Sequence, residues 1–262
     1  MVNWIPIVAA SVAAAPAAAA FFLAYGRYDG AFNDRVVFLY FIGGMAVGAL
    51  LGFLTLLLLS SGIAPLIQVL VLALLFPIAA VAVINRRKWQ GERHAVFNGG
   101  AAGLGAAVMM TFSLLYYRMQ GPYAAAMQPL LDAYNALPPG SRGAPPSLDT
   151  VPYAFAPAIV SQAVLLAIGL AGLWFGMGLL AGDGVRRRKQ FMVAFLGTAI
   201  LIAPVIFLEE FQRDYNWTWV VLLAAYGGIF GVAAERRLLI EGVTDEARKE
   251  RRRRRRKQML AK

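Results

Sequence analysis

The sequence predicts an all-α fold: a polytopic membrane helix bundle with seven transmembrane helices. Three observations predict it. Hydrophobic residues make up 60% of the 262 residues and charged residues only 15%. Mean hydropathy is +0.62. Seven stretches of about 20 mainly apolar residues recur along the chain, the length a helix needs to cross the hydrocarbon core. A soluble domain carries about 25% charged residues, so this chain has too few to coat a water-facing surface, and an ordinary soluble enzyme is excluded. With no Cys, disulfides, thiolate metal sites and cysteine nucleophiles are excluded too.

The predicted spans are Trp4–Tyr25, Val36–Leu59, Ile63–Ile84, Ala95–Tyr117, Tyr153–Leu180, Phe191–Leu208 and Trp217–Ala234. None has an ionisable side chain in its interior. The first contains an Ala-rich run, Ala18–Ala20, of the kind that signal peptidase cleaves. No basic residue precedes it, and cleavage would turn the basic connections outward, so the first helix is expected to be retained. Only Ser60, Ser61 and Gly62 join the second and third spans, which predicts a tight antiparallel hairpin.

Orientation follows from the distribution of Lys and Arg. The connections hold Arg27 and Arg35; then none; then Arg86, Arg87, Lys88 and Arg93; then Arg118 and Arg142; then Arg186, Arg187, Arg188 and Lys189; then Arg213. The C-terminal stretch holds 12 more. Taken alternately, one side collects 22 and the other 3. The N-terminus is therefore predicted outside and the C-terminus in the cytoplasm, in the plasma membrane. Trp4, Tyr116, Tyr117, Tyr153, Trp217 and Trp219 fall at the outer ends, the depth that amphipathic rings prefer.

This divides the chain into a transmembrane domain, 1–234, with an outer loop at 118–151, and a basic cytoplasmic tail, 235–262. In the outer loop, Tyr123 to Leu137 has the periodicity of a short surface helix with Met127, Leu130, Leu131 and Tyr134 on one face. The following Pro- and Gly-rich run, 138–146, should be irregular. Asn216-Trp217-Thr218 is a glycosylation sequon too close to the membrane for a transferase to reach, and is expected to be unused.

Glycines recur at helical spacing: Gly44, Gly48 and Gly52; Gly99 and Gly103; Gly172 and Gly176; Gly227 and Gly231. Glycines four apart share one helix face and let neighbouring backbones approach closely. With several such faces in one chain, packing within the bundle is the expected use. Dimerisation with other membrane subunits, or a moving helix contact, is the functional alternative. Pro65, Pro77, Pro157 and Pro204 lie within or near span ends, where each interior ring removes a backbone hydrogen bond.

Catalytic candidates are few. The single His, His94, lies beside Arg93 in a basic connection, and one His with no Cys does not make a zinc site. No metal or cofactor is expected. Glu209 and Glu210 are adjacent acids at the outer end of the sixth span. They are read as a solvated outer loop in which Arg213 offsets one acid; paired carboxylates that raise each other's pKa to supply a base are the alternative. His94 lies on the opposite side of the membrane from them.

The run Phe97-Asn98-Gly99-Gly100-Ala101-Ala102-Gly103-Leu104-Gly105-Ala106-Ala107, ending at Tyr116, resembles a helix of the PrsW-like intramembrane glutamic proteases. The resemblance covers about residues 75–116. It implies that family's helical scaffold without its chemistry. Where the family carries a catalytic Glu, this chain has about Met110, and Pro77 is followed by Ile78, Ala79, Ala80 and Val81 instead of a Glu-Glu pair. Glu209-Glu210 comes after the Gly-rich helix, the wrong order, and the later family His is absent. No catalytic residue is carried over.

The tail holds 12 Lys/Arg against Glu235, Glu241, Asp245, Glu246 and Glu250, a net +7 of the chain's +11. Arg251, Arg252, Arg253, Arg254, Arg255, Arg256 and Lys257 are seven consecutive cations, a run that repels itself unless an anion binds it. The spacings Asp245–Lys249 and Glu250–Arg254 suit a helix, so the seventh helix is expected to continue after a break near Gly242. Three partners fit the cations: anionic lipid headgroups, RNA or the ribosome through phosphates, and an acidic protein. The expected function is a non-enzymatic integral membrane scaffold or accessory subunit. A transporter or channel for a neutral solute is the alternative, resting on Thr55, Gln68, Thr111, Ser113, Ser161, Gln162 and Thr198 inside the spans. The lack of intramembrane charge argues against ion coupling. A PrsW-like protease is the second alternative.

Overall fold

The structure is a computed structural model that describes residues 3–28, 32–90, 92–138 and 141–240. All regular structure among them is helical. The helices are α1 (Trp4–Tyr25), α2 (Asp34–Leu59), α3 (Pro65–Ile84), α4 (His94–Ala136), α5 (Val151–Ala154), α6 (Pro157–Arg186), α7 (Gln190–Asp214) and α8 (Trp217–Ala234). Seven are long and apolar enough to cross a membrane, and only the short α5 is not. The chain is a polytopic helical membrane protein.

Local chemistry sets the ends. Asn3 caps α1, its Oδ1 accepting from the Ile5 N–H, and Asn33 caps α2 by accepting from Val36 N–H. Asp34 then sits in the first turn of α2, where an acid complements the helix dipole. Asn216 caps α8 by accepting from Thr218 N–H. Two starts differ from expectation because of proline. α3 begins at Pro65 rather than Ile63, and α6 at Pro157 rather than Tyr153, each proline standing at a first helical position. Its missing N–H costs nothing there. The residue before each proline is extended, with Ala64 at ψ 130° and Ala156 at ψ 117°. This is the conformation the proline ring imposes, and it separates the single turn α5 from α6.

Three helices outrun their predicted spans. α6 continues past Leu180 to Arg186, and α7 past Leu208 to Asp214, so Glu209 and Glu210 lie in a helix rather than in a loop. α4 runs unbroken for 43 residues through Pro122 and Pro129. The expected surface helix is therefore the continuation of the fourth span, and the outer loop proper is only about 137–150. Gly121 precedes Pro122 and has no β-carbon for the proline ring to strike. Across Pro129, Gln128 Nε2 donates to Asp132 Oδ1 at 3.0 Å. α4 stops at Ala136, two residues before Pro138, and Arg142 folds back to donate from Nε to Leu137 O (2.9 Å) and from Nη2 to Asn135 O (2.7 Å). A cation on the last carbonyls of a helix satisfies orphan acceptors and complements the dipole. Of the Pro- and Gly-rich segment, residues 142–146 form no regular helix, as expected. α8 passes into a π-helix at Glu235–Ile240. The break near Gly242 and the basic run lie outside the described residues.

α4 and α6 form the axis. α2 packs along α4, α8 along α6, and α1 against both α4 and α6; α3 packs along α7. The α2–α3 pair is thus splayed rather than a tight hairpin, each helix siding with a different partner. Backbone proximity explains the axis. A β-carbon on Gly99 would overlap the carbonyl oxygen of Gly178, and one on Gly178 that of Gly99; Gly103 faces Trp174 O in the same way. Gly44 and Gly48 meet Ala102 and Ala106 of α4, while Gly172 and Gly227 join α6 to α8. Close backbone approach replaces the hydrophobic driving force that helices lack in lipid.

Contacts sort the helix ends into two groups. At one end Trp4 N–H donates to Thr150 Oγ1 and the Trp4 ring meets Phe155. At the other, Arg27 pairs with Glu235, and Gln190 reaches Asn85. These are the groupings that alternate crossings require. The second group carries the Arg-rich connections and is called the basic end below.

Candidate functional site

The polar groups converge at the end opposite the basic connections. α7 ends on Tyr215, which takes the left-handed conformation (φ 52°) so that α8 can start two residues later. That turn directs the Tyr215 carbonyl at α6, where Gln162 Nε2 donates to it at 3.1 Å. Gln162 is buried, and its Oε1 accepts from Arg118 Nη2 at 2.7 Å. The Arg118 guanidinium lies 3.6 Å from the Tyr215 ring centroid and 4.9 Å from that of Phe211. One cation therefore ties α4, α6 and α7 together through a hydrogen bond and two ring faces.

Beside this junction the splayed α2 and α3 leave a recess of about 340 Å³, whose polar lining includes Gln68, Tyr117, Glu209, Gln212, Arg213 and Tyr215. A second cavity, about 530 Å³, shares Tyr117 and Tyr215 and includes Arg118 and Gln120. Arg118 Nε, Gln120 Oε1 and Gln212 Nε2 are buried without a hydrogen-bond partner. Orphaned polar atoms beside a cavity are the groups that a bound molecule or ordered water satisfies.

The two acids do not form a dyad. Neighbours on a helix stand about 100° apart and do not face each other. Glu209 lines the recess, whereas Glu210 pairs with Arg213 one turn on. The offset of one acid by Arg213 matches expectation; the location, in the last turns of α7, does not. His94 opens α4 at the basic end. It is 24 residues from Arg118, about 36 Å along the helix at 1.5 Å per residue, so His94 and the acids serve different faces of the membrane.

Four of the five intramembrane hydroxyls expected to mark a solute path turn back on their own helices. Thr55 donates to Leu51 O, Ser113 to Met109 O, Ser161 to Pro157 O and Thr198 to Ala194 O, each four residues back. Gln68 is held by Ile63 O. Deeper along α4 the cavity between Gly44, Ala102, Gly103 and Gly178 is about 10 Å³, no more than the least that one water needs. Met110 of α4 is fully buried and its Sδ accepts from Trp174 Nε1 at 3.1 Å. Ala80, after Pro77, is buried as well.

At the basic end, one site residue escaped the sequence reading. Asp183 is 9% exposed and binds Arg186 at 2.5 Å and Arg187 at 2.8 Å. It lies three residues beyond the predicted end of its span, and its spacing to two arginines was the available signal. The cations Arg251 to Lys257 lie outside the described residues. No family model matches this chain, and neither a curated protein nor a solved structure shows significant similarity to it.

Proposed function

We propose that the chain is a non-enzymatic scaffold or accessory subunit of the plasma membrane, with its polybasic segment on the cytoplasmic face held against anionic lipid headgroups. The packing of α4 against α6 carries this reading. The two axial helices meet backbone to backbone at Gly99, Gly103 and Gly178, which leaves no room for a solute between them. The partner-facing features are at the two ends: the projecting half of α4 with its outer recess, and the basic tail. Seven adjacent cations near an anionic leaflet contribute about 1 kcal/mol each, enough to hold the tail at the surface.

The test is binding of the intact protein to anionic and neutral vesicles, with and without replacement of Arg251 to Arg256 by Gln. Binding to anionic vesicles should drop in the variant and in rising salt, with thermal stability unchanged. Association abolished by nuclease would reassign the tail to RNA, and retention by an acidic protein in its place would reassign it to that partner. A hydrolytic activity lost in a Glu209→Gln/Glu210→Gln variant would overturn the non-enzymatic reading.

A further inference from the structure

α1 and α8 both pack on α6 but not along each other, and the gap between them is a groove of about 700 Å³. Its walls are small and apolar: Ala15 and Ala19 from α1, Gly228 and Val232 from α8, with Ile168 and Phe175 of α6 as floor. The groove opens onto Arg27, Glu235 and Arg236. Along α1 and the turn that follows it, the groove runs from Ala15 to Arg27, 12 residues or about 18 Å. That is close to half of the ~30 Å hydrocarbon core, and it is the half adjoining the basic end.

We infer that this groove holds one anionic glycerophospholipid of the leaflet at the basic end, an acyl chain between α1 and α8 and the headgroup phosphate at Arg27 and Arg236. A concave apolar slot one leaflet deep, inside the bilayer, must be filled by apolar matter. Its mouth selects which. Two arginines and one glutamate line it, and Arg27 reaches Glu235 at only 3.4 Å, with 62% of the Arg27 side chain exposed. The Arg27 fork therefore keeps donors free for a phosphate, the group that guanidinium binds in bidentate fashion. A neutral headgroup has no such claim, and a partner helix would need an acid at that depth. The charge bias places this end in the cytoplasmic leaflet, where anionic lipids are enriched. The groove's residues are not those of the polybasic run 251–257, and the inference does not depend on what that run binds.

Gly228 makes the test clean. It lines the groove, and a β-carbon there meets nothing within 4 Å, so Gly228→Leu should fill the slot without disturbing the bundle. Native mass spectrometry of the full chain, titrated with phosphatidylglycerol or phosphatidylcholine of the same chains, counts bound lipids. Wild type should retain one phosphatidylglycerol in clear preference to phosphatidylcholine. Arg236→Gln should weaken that first lipid about fivefold, the worth of one cation at an anionic surface. Gly228→Leu should remove it. Should Gly228→Leu lower the melting temperature, Ala19→Leu, at an exposed position on the opposite wall, tests the same slot. Replacement of Arg251 to Arg256 by Gln should leave the first lipid in place. Equal retention of the two lipids, or a first lipid indifferent to both groove fillings, overturns the inference. So does a dimer that Gly228→Leu dissociates, which would give the slot to a helix of a second copy.

Discussion

The Arg118 guanidinium lies 3.6 Å from the centroid of the Tyr215 ring while its Nη2 donates to buried Gln162 at 2.7 Å. A charge at the membrane edge is thereby held by a ring face and an amide, with no carboxylate involved in those contacts. A hydrogen bond from a charged donor contributes about 1.5–3 kcal/mol, and a desolvated cation–π contact about 1–2 kcal/mol.

Arg118→Ala should therefore destabilise the bundle by about 2–4 kcal/mol, read as a lower unfolding midpoint in detergent. Arg118→Lys should not restore it, because an ammonium cannot stack flat on the ring and bond Gln162 together. Gln162→Leu combined with Arg118→Ala should cost less than the two single changes added, since they share one hydrogen bond. Strict additivity would show that the two residues act independently.

Tyr215 gives an inverted ranking of substitutions. Its φ of 52° strains any residue with a β-carbon by about 1–2 kcal/mol, a strain that glycine escapes. Tyr215→Ala loses the ring and keeps the strain. Tyr215→Gly loses the ring and releases it. Thermal melts should place Tyr215→Gly above Tyr215→Ala, the reverse of the usual order in a helix.

The glycines separate into two classes that one substitution distinguishes. Gly99→Ala and Gly178→Ala drive a methyl into a facing carbonyl that cannot move unless the helices part, and should each cost about 1–3 kcal/mol. Gly43→Ala and Gly228→Ala meet open space and should be neutral or stabilising by up to about 1 kcal/mol through reduced chain entropy. A urea or heat series in one detergent checks the split.

How far this was legible in the sequence varies with the physics involved. The seven spans are legible because burial in lipid demands some 20 apolar residues regardless of neighbours. Spacing identified Gly99 and Gly103 as sharing a face, but periodicity cannot say that the face meets Gly178 and Trp174. The same gap hid the splaying of α2 from α3, because a short connection sets adjacency at one point only. Helix ends were misplaced wherever hydropathy and helicity part company: α4 continues as a polar helix past Tyr117, α7 carries Glu209 and Glu210 in its last turns, and Asp183 lies beyond Leu180. The Arg118–Gln162–Tyr215 junction joins residues 44 and 53 apart in sequence, and no local motif announces it.

Arg142 supplies a prediction about local stability. It covers the Leu137 and Asn135 carbonyls at the exposed end of α4, where little packing supports the helix. Arg142→Gln removes the two charge-assisted bonds. Hydrogen exchange should quicken over the last turns of α4, about residues 130–137, by roughly tenfold for each 1.4 kcal/mol lost. Exchange in the buried half around Gly99–Leu115 should not change. Faster exchange throughout α4 would mean that the projecting half and the buried half open as one unit.

The last prediction concerns orientation. The charge bias, 22 Lys and Arg on one side against 3 on the other, requires the loop around Ser147 to face outward and the Arg87 connection to face the cytoplasm. Because the chain has no Cys, a single introduced thiol reports its own position. Ser147 and Arg87 are both exposed, so Ser147→Cys and Arg87→Cys should fold as the parent does. In intact cells a membrane-impermeant maleimide should label Ser147→Cys and leave Arg87→Cys unmodified; after permeabilisation both should react. The reverse labelling pattern would invert the topology. It would put the Arg27–Glu235 pair and the lipid groove on the outer leaflet, where anionic lipid is scarce, and the recess lined by Glu209 and Gln212 in the cytoplasm. Labelling at both positions in intact cells would mean that the chain inserts in two orientations, and the charge bias would then fail to decide the topology.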